Sequence, residues 1–243
     1  MNQELGEDML RLIHQGMTED NLKATIYYNN QCSNYLTSLV NSNSIITNYY
    51  YFFKYEDDKL IGFSEWRKLK NSLFLNNIYV DEKQQGKGIG KLLFEKGVSL
   101  CNKLGINNIT LDVFLNSTKA HKWYQNMGFK EISQAYYYKI PMPNNITDEK
   151  NVHEDIFISN YPQAALLEKE FGFTIIQLGN ESIGILNPYY FRINNLKILS
   201  NKAIMQKLSL FNSHRDLLFI SEEKRLQGGA ILKTKSYRLK LIL

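Results

Sequence analysis

Gly86, Gly88 and Gly90 are separated by single residues and alternate with Lys87, Ile89 and Lys91 in the segment QGKGIGK. Glycine carries no Cβ, so its amide can come close to a bound group. The run LLFEKGVSLCNKLG that follows has helical spacing. The segment before it, LFLNNIYV, has the apolar, β-prone character of a strand through Leu73, Leu75, Ile78 and Val80. Amides at the start of a helix lack an intrahelical acceptor, and the macrodipole favours an anion there. The chemistry these residues suit is the holding of a phosphate-bearing ligand. A nucleoside-triphosphate loop needs a Gly, four residues, then Gly-Lys-Ser/Thr. Here Lys91 precedes Leu92, and Gln85 stands five before Gly90. The dinucleotide fingerprint needs a third Gly where Lys91 stands. What remains is Gln85-x-x-Gly88-x-Gly90 behind a strand ending Ile78-Tyr79-Val80. On this segment alone, a simple strand-to-helix turn stays open.

The elements that position this loop can be read on both sides of it. After the loop, Leu93, Gly97, Leu100 and Leu104 share one helical face, and Gly105 is a natural stop. Ile109, Leu111 and Val113 then alternate as a strand. Asn116 and Ser117 offer turn or cap chemistry before the short helix STKAHKWYQNM, closed by Gly128. A strand rich in aromatic residues is expected over residues 129–140. Upstream, residues 48–80 read as a three-strand meander with turns near Asp57-Asp58 and Lys70-Asn71-Ser72. Thr18 and Ser33 are candidate helix caps, and MLRLI is the one early segment that could serve as a strand.

Strand, Asn, short helix with a Tyr, Gly-Phe and strand appear as LDVFLNSTKAHKWYQNMGFKEI, in order behind the glycine loop. Together the two pieces, over roughly residues 48–140, resemble the GNAT superfamily of N-acetyltransferases. That resemblance implies an α/β (α+β) fold: a GNAT-like mixed, mainly antiparallel central sheet flanked by helices. It implies acetyl-CoA as co-substrate, with no metal, and transfer of the acetyl group to a primary amine by direct attack in a ternary complex. By likeness, Ile78, Tyr79 and Val80 contact the pantetheine arm through backbone groups. Gln85, Gly86, Lys87, Gly88, Ile89, Gly90 and Lys91 hold the pyrophosphate, Asn116 meets the arm, and Tyr124 stands near the thioester sulfur as proton donor. The family normally opens with a clear strand, and this chain departs from that pattern.

The chemistry sets further demands. Freeing the lone pair of an amine of pKa near 10.4 at pH 7 costs about 4–5 kcal/mol, so a general base helps. Glu65, in GFSEW, is the best-placed carboxylate; Asp81 and Glu82 are alternatives, and Asn76 and Asn77 can line the site without titrating. Each residue also has a structural reading: Asn116 as a helix cap, Tyr124 as packing among 16 tyrosines, Glu65 as a solvated charge, and the two loop lysines as exposed. His121 shares a helical face with Tyr124 and reads as solvated. A CoA-binding sensor or scaffold without turnover remains the rival function.

The 243 residues hold one large or two small domains, with 44% hydrophobic and 22% charged residues. A net charge of +5 suits a polyanionic co-substrate and is too weak to argue for nucleic acid. Two cysteines, an acidic start and no long apolar run point to a cytoplasmic protein off the membrane. The expected partner is a small-molecule or peptide amine, with a homodimer left open. The expected division is 1–140 as the acetyltransferase domain, 141–151 as linker, and 152–243 as a smaller, non-catalytic C-terminal α+β domain. Within that domain a helix is expected from Tyr161-Pro162 to Gly172, strands FTIIQL and SIGILNPYYFRI, a helix over 201–210, and strands near Leu217–Ile220 and Arg238–Leu243. Ala120, Gly128 and Phe129 recur there as Ala164, Gly172 and Phe173. That echo is either a decayed half of the same fold or two helices that each end in Gly.

Overall fold

The computed structural model describes residues 3–42, 44–143, 156–224 and 229–243. In chain order the elements begin with α1 (Gln3–Gly16), α2 (Glu19–Lys23), α3 (Cys32–Val40) and α4 (Ser44–Thr47). The strands β1 (Tyr49–Glu56), β2 (Lys59–Lys68) and β3 (Leu73–Val80) follow, then α5 (Ile89–Leu104), β4 (Asn108–Phe114), α6 (Thr118–Asn126) and β5 (Lys130–Ile140). The remainder is α7 (Tyr161–Phe171), β6 (Thr174–Leu178), β7 (Glu181–Asn187), β8 (Tyr190–Ile193), α8 (Lys202–Asn212), β9 (Asp216–Ser221) and β10 (Ile231–Ile242).

The chain forms two compact units that do not follow the expected cut. One comprises Met1–Thr18, Ser33–Gln134 and Lys235–Leu243; the other comprises Glu19–Cys32 and Ala135–Thr234. The last strand of the chain therefore belongs to the first unit, and most of β5 to the second. Of the expected linker, residues 144–151 lie outside the described residues.

In the first unit β1, β2 and β3 form an antiparallel meander, β3 runs parallel to β4, and β10 pairs antiparallel with β4 from Ser236 to Ile242. The β1–β2 turn uses Asp57 and Asp58, both with positive φ (46° and 60°), as a two-residue hairpin of this twist requires. MLRLI is helical, not a strand. Met9, Leu10, Leu12 and Ile13 are buried, and their spacing puts them on one side of α1. α1 crosses α3 closely: a Cβ on Gly6 would lie 2.2 Å from the Ser33 carbonyl oxygen. α5 crosses the sheet as closely at Gly97, where a Cβ would sit 2.0 Å from the Trp66 ring. The core behind the sheet joins Trp66, Phe94, Leu111, Tyr124 and Phe129 with Leu239 of β10.

The second unit repeats that order: a meander of β6, β7 and β8, a crossing helix α8, and β9 parallel to β8. β9 then pairs antiparallel with Tyr136–Ile140 of β5. SIGILNPYYFRI is thus two strands, because Asn187 accepts from the Tyr189 amide (2.9 Å) and turns the chain. Both echoed glycines end helices with positive φ, 88° at Gly128 and 76° at Gly172. α6 follows the fourth strand of its unit, whereas α7 precedes the first strand of the other. The echo is helix-ending chemistry rather than a copy in register.

Candidate active site

The register of β3 builds the site. Glu65 lies opposite Asn77 and Trp66 opposite Leu75, so Asn76 is an extra residue, a β-bulge. The Asp81 amide donates to the Ile61 carbonyl at 2.9 Å. In an antiparallel ladder that makes Tyr79 and Phe63 a hydrogen-bonding pair and turns the backbone groups of Ile78 and Val80 away from β2. On that side β3 pairs with β4 only from Leu73 to Leu75. The two strands part beyond Leu75, and the backbone of Ile78 and Val80 faces the gap.

The loop closes the wide end of this wedge. The Asp81 carboxylate caps a 3₁₀ turn, Glu82–Gln84, by accepting from the Lys83 amide. Gln85 is extended, and its Nε2 donates to the Val80 carbonyl at 3.2 Å. Gly86 and Gly88 have φ of 80° and 81°, and a Cβ on either would meet nothing within 4 Å. Their outer side is thus open for a ligand to lie against the backbone. Ile89 anchors the helix start by packing with Ile61 and Leu93. The Leu92 amide is bonded to the Gly88 carbonyl at 3.0 Å, which leaves the earlier amides of α5 directed out of the helix.

Charge at the loop is modest. Lys87 Nζ donates to Gln84 Oε1 at 2.6 Å, and Lys91 stands 3.8 Å from Glu95, both at the surface. Asp81 is committed elsewhere: it accepts from Arg11 Nη1 at 3.0 Å. Burial alone would raise its carboxyl, but the Lys83 amide and the Arg11 guanidinium together hold it below the usual carboxylate range.

Glu65 is fully buried rather than solvated. Its Oε1 accepts from Arg67 Nε and Nη2, both at 3.2 Å, and from Asn76 Nδ2 at 2.9 Å. Its Oε2 accepts from Asn77 Nδ2 at 2.7 Å. The carboxylate therefore pins both asparagines of the bulge. Tyr79 projects from the same face of the sheet. Its ring lies 6.0 Å from Phe63, and a Cβ on Gly16 would touch it at 2.5 Å.

Tyr124 is buried on α6, with its ring 5.1 Å from Trp123 and 5.5 Å from Phe129. Burial pushes its phenol up, and the neighbouring Tyr79 pushes it further; burial and then Glu65 do the same to Tyr79. Both phenols hold their protons throughout the neutral range. Asn116 lies one residue before the N-cap Ser117 and does not cap α6; its Nδ2 donates to Thr18 Oγ1 at 3.1 Å. His121, expected to be solvated, is half-buried and stacks on Tyr237 at 4.9 Å.

Sequence reading passed over Trp123, 3.7 Å from a Cβ position on Gly90, and Arg11, the ion-pair partner of Asp81. The strand expected near Arg238–Leu243 is present as the end of β10, but it pairs with β4 of the first unit and not within the C-terminal domain to which it was assigned. In the second unit the segment between β8 and α8 has no glycine, the Asn201 side chain caps α8 at the Ile204 amide (3.2 Å), and all of β8 pairs with β9. Among the described residues β8 and β9 therefore form no wedge of this kind. Among the described residues no helix is long and apolar enough to cross a membrane, and no cluster of His, Cys, Asp or Glu could hold a metal.

A profile of the acetyltransferase (GNAT) family matches residues 14–129. The [ribosomal protein bS18]-alanine N-acetyltransferase of Haemophilus ducreyi is 32% identical over 87 residues, 35% of this chain and 60% of that protein. The chain thus spans less than two thirds of the length of that relative. Among solved structures, a tandem GNAT protein from the clavulanic acid biosynthesis pathway has a TM-score of 0.69 at 11% identity, over 99% of this chain and 95% of that one. A GCN5-related N-acetyltransferase from Sphaerobacter thermophilus has a TM-score of 0.59 at 10% identity, over 99% and 93%. At such identities the likeness is one of fold: a mixed, mainly antiparallel sheet flanked by helices.

Proposed function

Since residues 14–129 match the acetyltransferase (GNAT) family, we propose that this protein transfers the acetyl group of acetyl-CoA to a primary amine by direct attack in a ternary complex. The observation that carries this reading is the wedge between β3 and β4, with the outward backbone of Ile78 and Val80 on one side and the open glycine loop at its mouth. The residues present fit acetyl-CoA as a substrate. The amides of Gln85 to Lys91 would take the pyrophosphate, with Lys87 and Lys91 as point charges. Ile78, Tyr79, Val80 and Asn116 would line the pantetheine arm.

In the reaction the amine nitrogen forms a bond to the thioester carbonyl carbon and the C–S bond breaks. A backbone N–H at Val80 would polarise the carbonyl oxygen as charge builds on it. The phenol of Tyr124, kept protonated by burial, donates its proton to the departing thiolate. Glu65 is the carboxylate placed nearest by sequence position. With both oxygens already accepting from Arg67, Asn76 and Asn77, its role in this reading is to hold the bulge, and the ammonium loses its proton to water. No cysteine nucleophile is needed, because attack within a ternary complex works mainly by positioning.

The acceptor panel should include small amines and a peptide beginning with alanine, the residue in the name of the Haemophilus relative. Thiol release from acetyl-CoA is measured for the wild type and Tyr124→Phe, with calorimetric binding of acetyl-CoA alongside. Turnover that collapses in the variant while binding persists is the expected result. Binding without turnover on any amine would move the protein to the sensor reading. Failure to bind acetyl-CoA would overturn both.

A further inference from the structure

Away from the wedge, β1 ends the strand order of the first unit and pairs with β2 alone among the described strands. The Lys68 amide donates to the Asn48 carbonyl at 2.9 Å. In this ladder the even-numbered residues of β1 therefore bond to β2, while Tyr49 and Phe53 turn their backbone groups to the outer edge. A cavity of about 590 Å³ is lined by the five residues Tyr49–Phe53, by Lys96, Ser99, Leu100 and Lys103 of α5, and by Val40, Ser42 and Ser44 of the segment before β1. Side chains of successive strand residues point to opposite faces. A cavity that touches five in a row therefore follows the strand's edge rather than either face.

The chemistry of this slot is one-sided. Lys96 and Lys103 are seven apart, so they lie on one helical face about 10 Å apart along the axis. No ion pair among the described residues involves either lysine, and no carboxylate lines the cavity. The facing strand is aromatic and uncharged from Tyr49 to Phe53, and its one irregularity lies beyond, between Lys54 and Tyr55. Edge strands are ordinarily blunted by charge, proline, a bulge or a cover. This stretch has none of the first three.

We propose that the outer edge of β1 and the basic row of α5 form a docking slot for an extended, acidic peptide segment of a partner protein, which adds to β1 as a further strand. Main-chain bonds at Tyr49 and Phe53 would supply affinity, and carboxylates on one face of the segment would meet Lys96 and Lys103. Carboxylates two to four residues apart on a strand are spaced by about 7–13 Å, which brackets the separation of the two lysines. A second copy of this chain is a poorer occupant, because the strand it would offer, Tyr49–Tyr55, carries Lys54 and no carboxylate. The inference does not depend on the proposed catalytic activity, since the slot uses the middle and end of α5 and not its glycine loop.

The probe is a fluorescein-labelled peptide of alternating valine and glutamate, titrated against the full-length protein by fluorescence anisotropy. Saturable binding is expected. The double variant Lys96→Glu/Lys103→Glu, both sites exposed, should weaken it by about tenfold or more, as charge reversal opposite a charged partner does. A peptide N-methylated on alternate residues to remove its edge donors should fail to bind the wild-type protein. No binding, equal binding of a valine–lysine peptide, or indifference to N-methylation would each overturn the proposal. So would a concentration-dependent dimer that Phe53→Pro dissolves, since that assigns the edge to a second copy.

Discussion

Leu239 lies directly opposite Leu111 in the pairing of β10 with β4, and each is only 1% exposed. The strand that forms one wall of the wedge is therefore braced by the last strand of the chain. A protein ending at residue 140 would leave β4 with an open edge and the core without Leu239. Such a truncation, and one ending at residue 234, should show no cooperative unfolding and no acetyl-CoA binding. Circular dichroism melts and calorimetry check both.

The buried phenol of Tyr124 gives a pH prediction. Its raised value means that loss of its proton lies above the ordinary tyrosine range. The pH–kcat profile should therefore show no fall from this group below pH about 10. Tyr124→Phe should lower kcat by about a hundredfold, the scale of a lost proton donor, with acetyl-CoA affinity nearly unchanged. An equal loss of affinity and rate would make Tyr124 a packing residue.

Two glycines should respond in opposite ways. Gly88→Ala meets no neighbour and costs about 1–2 kcal/mol of stability through its left-handed φ, yet its methyl projects where the ligand is proposed to lie. A large loss of acetyl-CoA affinity with a modest shift in Tm is expected. Gly97→Ala drives a methyl into Trp66. It should cost about 1–3 kcal/mol or more, with the affinity of the folded fraction retained.

Asp81 gives a stability prediction with a definite sign. Its folded carboxyl titrates below the ordinary value, so its contribution is full above that value, near pH 4, and is lost as pH falls through the lowered folded one. Asp81→Asn should cost about 1–3 kcal/mol at pH 7, where the Arg11 guanidinium loses one of its two carboxylate partners and keeps Asp8. Urea melts should show the gap between variant and wild type closing toward pH 3. A gap that does not depend on pH would mean that the ion pair contributes nothing.

The loop and its flanks were legible because their signals are local. Of the alternating glycines, Gly86 and Gly88 take positive φ while Gly90 already lies in α5, and Gly105 and Gly128 mark helix ends. The meander showed through turn residues such as Asp57-Asp58. MLRLI misled because four apolar residues in five fit a strand or a buried helix side equally well, and burial against α3 and the sheet chose the helix. Glu65 was legible only in part. Sequence position puts a carboxylate beside the site, but only the bulge at Asn76 brings two side-chain amides onto it.

The sequence by itself determined the strand, glycine-rich loop and helix and the Asn116-to-Phe129 segment, and with them the resemblance to the acetyltransferase (GNAT) family. These depend on backbone conformations that neighbouring residues impose on one another. Only the tertiary structure decided which strand lies beside β4, that β5 and β10 serve units other than those their sequence positions suggest, and that β3 parts from β4 beyond Leu75. Strand partners are chosen by long-range burial and hydrogen-bond closure, and alternation along β10 reads the same whichever neighbour accepts it.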